Sequence, residues 1–179
     1  MFGTIQRWLF LKALADIKKK KGTKKTITNN ECASVHILYE LSDEKDQKAL
    51  DLFVNQLKNN RKNVVCFGFQ NEKIKLTPDV TDFYSLQNVP FSQVPKGEQV
   101  HQFLSRPADI LIVLCHHFYD HLRYLTFATQ APLKVGLHFP KGESYFDVMI
   151  DTDPTTPYSE QIISIIHWMN IFSQKNNAL

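Results

Sequence analysis

The sequence predicts an α/β fold, a three-layer Rossmann-like body with a mostly parallel open sheet and flanking helices, preceded by a basic N-terminal helix. Three observations carry that expectation. Runs rich in β-branched and aromatic residues alternate with stretches of helical spacing. Asp109 to Cys115 (DILIVLC) is the apolar run expected of a central strand covered on both faces. The first 30 residues concentrate positive charge on an apolar segment. Residues 1–30 therefore read as an arm and linker, and residues 31–179 as one α/β domain.

The elements follow in order. Phe2 to Lys21 has helical spacing at Phe2, Ile5, Leu9, Ala13 and Ile17, with Phe10 beside the stripe. Trp8, Leu11 and Leu14 fall on other faces, so this helix is apolar around most of its circumference and must cover itself with the body, a partner or a lipid surface. Gly22 and Thr23 to Asn30 form a linker. Ala33 to Tyr39 is a strand, and Ser42-Asp43-Glu44 is a turn and helix-start signal. Ala49, Leu50, Phe53, Val54 and Leu57 then mark an amphipathic helix that stops at Asn59-Asn60. With the strand Asn63 to Phe69 this makes a βαβ unit whose crossover is right-handed.

Pro78, Pro90 and Pro95 punctuate residues 71–97, leaving a short strand at Asp82 to Leu86. Gly97 to Ser105 and Phe118 to Gln130 read as helices, with Asp109 to Cys115 between them. Leu133 to His138 and Phe146 to Asp151 are further strands. Tyr158 to Gln174 closes the chain, with Ile162, Ile165, Ile166, Met169 and Phe172 on its inner face.

At 179 residues, 43% hydrophobic and 22% charged, the chain has ordinary globular composition, which excludes collagenous and low-complexity classes. Its uncharged apolar stretches fall short of the roughly 20 residues that a spanning helix needs. The net charge of +3 hides an asymmetry: residues 1–30 carry eight Lys/Arg against Asp16, giving +7, while the remainder sums to −4. Such a split points the arm, not the body, at an anionic partner. Lys12 interrupts the apolar segment and four lysines follow it, the reverse of the charge order of a secretory signal. Cys32, Cys66 and Cys115 lack metal-type spacing and read as reduced thiols of a cytoplasmic protein.

Several of these segments also carry a resemblance. The basic apolar N-terminal helix, Ala108-Asp109-Ile110-Leu111-Ile112, Leu133-Lys134-Val135-Gly136 and Phe146-Asp147-Val148-Met149-Ile150-Asp151-Thr152 together resemble an uncharacterised family of small Bacteroidota proteins, a domain of unknown function. The resemblance spans nearly the whole chain. It implies a Rossmann-like body and supplies no catalytic residues.

Open α/β sheets bind ligands beyond the carboxyl ends of their strands. The first such turn, Tyr39-Glu40-Leu41-Ser42-Asp43-Glu44, has no glycine and three carboxylates, which excludes a dinucleotide or Walker-type site. Lys21-Gly22, Lys96-Gly97 and Lys141-Gly142 also lack the surrounding nucleotide signature, and no cofactor is expected. Glu40, Asp151 and His117 are the catalytic candidates, serving a metal-dependent hydrolase or transferase at the strand ends. His117 and His121, four apart on a helix, are the metal-ligand candidates, against a solvated helix start as the bland reading.

The favoured reading is instead a non-enzymatic binding or adaptor protein. Its binding residues are Arg7, Trp8, Lys12, Lys18, Lys19, Lys20, Lys21, Lys24 and Lys25. The partner is an anionic surface, either inner-membrane lipid or RNA and ribosomes, or else a protein that receives the helix. Lipid stands slightly ahead because Trp8, Leu9, Phe10 and Leu11 are contiguous and apolar, which makes the protein peripheral on the inner membrane.

Overall fold

The computed structural model describes residues 2–20, 33–40, 43–73, 82–153 and 155–176. Its elements are α1 (Phe2–Lys20), β1 (Ser34–Glu40), α2 (Glu44–Asn59), β2 (Asn63–Gln70), β3 (Phe83–Ser85), α3 (Glu98–Ser105), β4 (Ile110–Leu114), α4 (Asp120–Ala128), β5 (Leu133–Leu137), β6 (Val148–Ile150) and α5 (Tyr158–Asn176). Short 3-10 turns at Leu86–Asn88 and Gly142–Ser144 complete the described elements.

The strands form one six-stranded sheet in the order β3-β2-β1-β4-β5-β6, and every pairing is parallel. β1 and β4 lie at its centre, and Val35, Ile37, Leu38 and all five residues of β4 are almost wholly removed from solvent. That burial explains why these segments are apolar without alternation.

Two apolar layers cover the sheet. On one face Val35, Ile37, Tyr39, Ile110, Ile112 and Leu114 meet Leu50, Phe53 and Leu57 of α2 and Ile162 and Ile165 of α5. On the other, Leu38, Phe67, Phe69, Leu111 and Val113 meet Phe103 of α3 and Leu122 and Leu125 of α4. Burying each such side chain contributes about 1.5–3 kcal/mol. The Asp43 carboxylate caps α2 by accepting the N–H groups of Lys45 and Asp46, both at 2.9 Å.

The segments that carry the resemblance hold the sheet together. Asp109, just before β4, accepts bonds from the N–H groups of Ala33 and Ser34 and from the Ser34 hydroxyl at 2.8–2.9 Å, so it ties β1 to β4 at their amino ends. Lys134 of β5 is 4% exposed, and its ammonium donates to the carbonyls of Thr126 and Phe127 at the end of α4. Asp147 accepts the Lys134 N–H at 2.9 Å. Gly136 makes room for the Phe146 ring, which a Cβ there would strike.

α1 lies outside these layers, against α4. Its inward side differs from the expected stripe. Phe10 is fully buried, Leu9, Ala13, Leu14 and Ile17 are half-buried, and Ile5 faces out at 52% exposure. A helix apolar on every side has no single face that periodicity can select, so the contact with α4 selects it. α4 begins at Asp120, two residues later than its apolar pattern suggests, and this leaves His117 outside the helix.

Candidate functional site

The sheet order reverses its winding between β1 and β4, so a ligand crevice is expected beyond the carboxyl ends of those strands. Four side chains converge there. Glu40 ends β1, His116 follows β4, Asp46 lies in the first turn of α2, and Tyr158 opens α5.

The Tyr158 hydroxyl sits in the gap, 2.6 Å from the Glu40 carbonyl and 3.1 Å from the Leu114 carbonyl, while the Glu40 N–H donates to it at 3.1 Å. It thereby serves backbone groups of both diverging strands. Burial pushes its ionisation far above the ordinary tyrosine range, so it stays a neutral hydroxyl. Asp46 accepts the Tyr158 N–H at 2.9 Å and turns its other oxygen to His116 Nε2 at 3.3 Å. The His116 N–H donates to Glu40 at 3.2 Å, and the His116 ring stacks on Tyr158 with centroids 4.8 Å apart. The chain's own residues thus fill the crevice with a hydrogen-bonded bolt. Asp43, meanwhile, holds the α2 amides that a pyrophosphate takes in dinucleotide folds.

The three catalytic candidates do not come together. Glu40 is in the bolt, but His117 is exposed and lies against Tyr119, with His116 occupying the place beside Glu40. Asp151 is exposed beyond β6, and β4 and β5 separate it from β1. Nearby Asp153 accepts from the Thr155 N–H and hydroxyl in a turn, and these bonds hold its carboxyl below the usual range.

The proposed metal pair is also parted. His121 is 2% exposed, with Nδ1 2.9 Å from the Tyr84 hydroxyl and its ring among Phe69, Tyr84 and Tyr119. Burial lowers its pKa to about 4. His117 precedes α4, so the two histidines do not share a helical face. Among the described residues, no group of three or more His, Cys, Asp or Glu side chains is placed to hold a metal ion. Cys115 is fully buried, and desolvation raises its thiol well above the usual range, so it stays protonated.

Sequence reasoning missed Asp46 and Tyr158. The available signals were a carboxylate three residues into a capped helix and an aromatic at the start of the next-to-sheet helix after Pro157, but nothing in their spacing joins positions 112 residues apart.

The second candidate surface is α1. Arg7 reaches Asp120 at 3.7 Å and lies over the Phe10 ring, and Arg123 shares Asp120 at 3.1 Å. With Phe10 inserted, these contacts hold α1 on the body. Ile5, Trp8 and Leu11 remain 52%, 59% and 48% exposed on the other side. Lys12, Lys18 and Lys19 are exposed, and the Lys12 ammonium sits over the Trp8 ring, 5.4 Å from its centroid. Lys20 ends the helix, whereas Lys21, Lys24 and Lys25 lie outside the described residues.

Comparison with known families finds one described as a family of unknown function, DUF6913, that matches residues 7–172. The chain belongs to this family. The DUF6913 match runs from Arg7 to Phe172, so it takes in most of α1 as well as the whole sheet. The basic helix is therefore covered by the same family match as the body. Neither the curated proteins nor the solved structures yield a match. Among the described residues, no helix is long and apolar enough to cross a membrane.

Proposed function

We propose that the protein is a non-enzymatic adaptor of the cytoplasm that docks on an anionic surface through α1, with residues 31–179 as the domain it carries. The observation that supports this reading is the two-sidedness of α1. Phe10 and Arg7 fix it to α4, while Ile5, Trp8 and Leu11 stay half-exposed beside Lys12, Lys18 and Lys19. Three large apolar side chains left half-exposed together on the solvent side of an anchored helix, rimmed by lysines, form the kind of patch that receives a partner. The charge of +7 over residues 1–30 sets the sign of that partner. The Cys66 and Cys115 free thiols suit a reducing compartment.

The test is fractionation of the tagged full-length protein from its own cells beside a form with Lys18 to Lys21 replaced by Gln. The parent is expected to pellet with a particulate fraction and the variant to stay in the supernatant. Equal distribution of the two forms would mean that the arm is not the docking element.

A further inference from the structure

We infer that the anionic surface is a lipid bilayer, in whose interface α1 lies flat with Ile5, Trp8 and Leu11 inserted. This rests on the docking reading above and names the partner of the same face. At about 100° per residue, Ile5, Trp8 and Leu11 fall within an arc of about 120°, and Lys12 and Lys19 share it. Lys18 flanks that arc.

Cations alone can hold RNA phosphates, but a firm grip on single strands without sequence preference comes from aromatic faces on which successive bases stack. α1 does not offer them. Phe10, the aromatic next to the exposed face, is fully buried against the body. Trp8 is the one outward aromatic among the described side chains of α1, and the Lys12 ammonium covers one of its faces. Ile5 and Leu11 have no π-face to present, yet they are about half exposed.

A bilayer interface uses each of these groups. Aliphatic side chains enter the acyl boundary, indole favours the headgroup level, and lysines extend their stems so that the ammonium meets lipid phosphate. The same geometry fixes how deep the helix goes. Its Phe10 side is packed on α4, so only the opposite side enters, and insertion stays within the shallow layer of about 5–10 Å typical of in-plane amphipathic helices. No described helix is long and apolar enough to cross, in keeping with a helix that lies on the surface.

The experiment uses the full-length protein with vesicles of phosphatidylcholine alone, vesicles of phosphatidylcholine with phosphatidylglycerol, and a single-stranded RNA of mixed sequence. Co-sedimentation with the phosphatidylglycerol vesicles but not with the neutral ones is expected. Trp8 emission, taken as the difference between the parent and W8F, is expected to shift to the blue on binding. K12Q, K18Q and K19Q should each weaken partitioning about fivefold, the worth of one basic side chain at an anionic surface. The triple variant I5Q/W8Q/L11Q should weaken it by about tenfold or more. Those three side chains lie on the solvent side of α1, so the variant should keep the parent's denaturation midpoint and its resistance to trypsin at Arg7 and Lys12, which certifies that α1 stays folded on the body.

Retardation of RNA without vesicle binding overturns the lipid inference and leaves anionic docking intact. Binding to neither overturns both. Undiminished vesicle binding by the triple variant also overturns the inference, because charge alone then carries the attachment.

Discussion

The Phe146 ring occupies the space that a side chain at Gly136 would need. Phe146 cannot step aside easily, because it is held against Phe118 with ring centroids 5.0 Å apart and is itself buried. The glycine of the Leu133-Lys134-Val135-Gly136 segment is thus a packing requirement of the sheet. G136A is expected to destabilise the protein by about 1–3 kcal/mol, seen as a lower urea midpoint with an unchanged slope. In the G136A background F146L should recover part of the loss, and a purely additive double mutant would reject the steric explanation.

Removing only the Tyr158 hydroxyl leaves the Glu40 N–H and the carbonyls of Glu40 and Leu114 without their shared partner. Y158F should therefore cost about 1–3 kcal/mol, well beyond the usual effect of deleting a surface hydroxyl. Amide hydrogen exchange gives the sharper readout. The Glu40 amide should lose protection in Y158F more than the amides of β5 do.

Acid should weaken the fold through two buried histidines. Burial, with Arg106 as a second cause, lowers His36 to about 4, and burial lowers His121 to about 4, both from an ordinary 6.5. Between those values the unfolded chain binds more protons than the folded one, so stability falls as pH drops from about 6.5 towards 4. Each histidine adds at most about 1.4 kcal/mol per pH unit to that slope. H121Q should flatten the dependence in that window relative to the parent. An unchanged slope would show that His121 is not neutral in the folded protein.

α1 should come away without the sheet unfolding. Among the described side chains of α1 Phe10 is the fully buried one, and Arg7 meets Asp120 at a part-exposed site whose attraction is worth at most about 1 kcal/mol. F10A is therefore expected to make α1 cleavable by trypsin at Arg7 and Lys12 while β1 to β5 stay protected. The loss in global stability should be smaller than the about 3–5 kcal/mol typical of Phe→Ala in a closed core, since the helix can leave instead of keeping a cavity. Collapse of the whole domain in F10A would refute this separability.

The parts legible in the sequence are those whose burial leaves one pattern. β4 is covered on both faces, and its uninterrupted Ile110 to Leu114 run shows it. α2 has one buried stripe, and Leu50, Phe53 and Leu57 reveal it. β3, expected as a short strand at Asp82 to Leu86, lies at Phe83–Ser85; three residues are too few to show a period, and the flanking prolines are what bounded it. The candidate site is harder for a different reason. Choosing His116 over His117 depends on which way the chain turns after Cys115, and bringing in Asp46 and Tyr158 requires the fold itself. On α1 the difficulty is excess: apolar residues on every side fit several faces, and only the seat of Phe10 on α4 leaves Ile5, Trp8 and Leu11 outside.

The bolt also sets a timetable. Tyr158 bonds to a residue 118 positions earlier, and Asp46 waits for it across 112. As the chain leaves a ribosome, β1 and β4 emerge and can pair before the residue that seals their parting ends is outside the exit tunnel. A nascent chain whose emerged part ends ahead of residue 158 is thus expected to hold a nearly whole sheet with an open seam, a transient target for chaperones and proteases. Arrest at successive lengths with protease pulses should show resistance rising in a late step as α5 emerges.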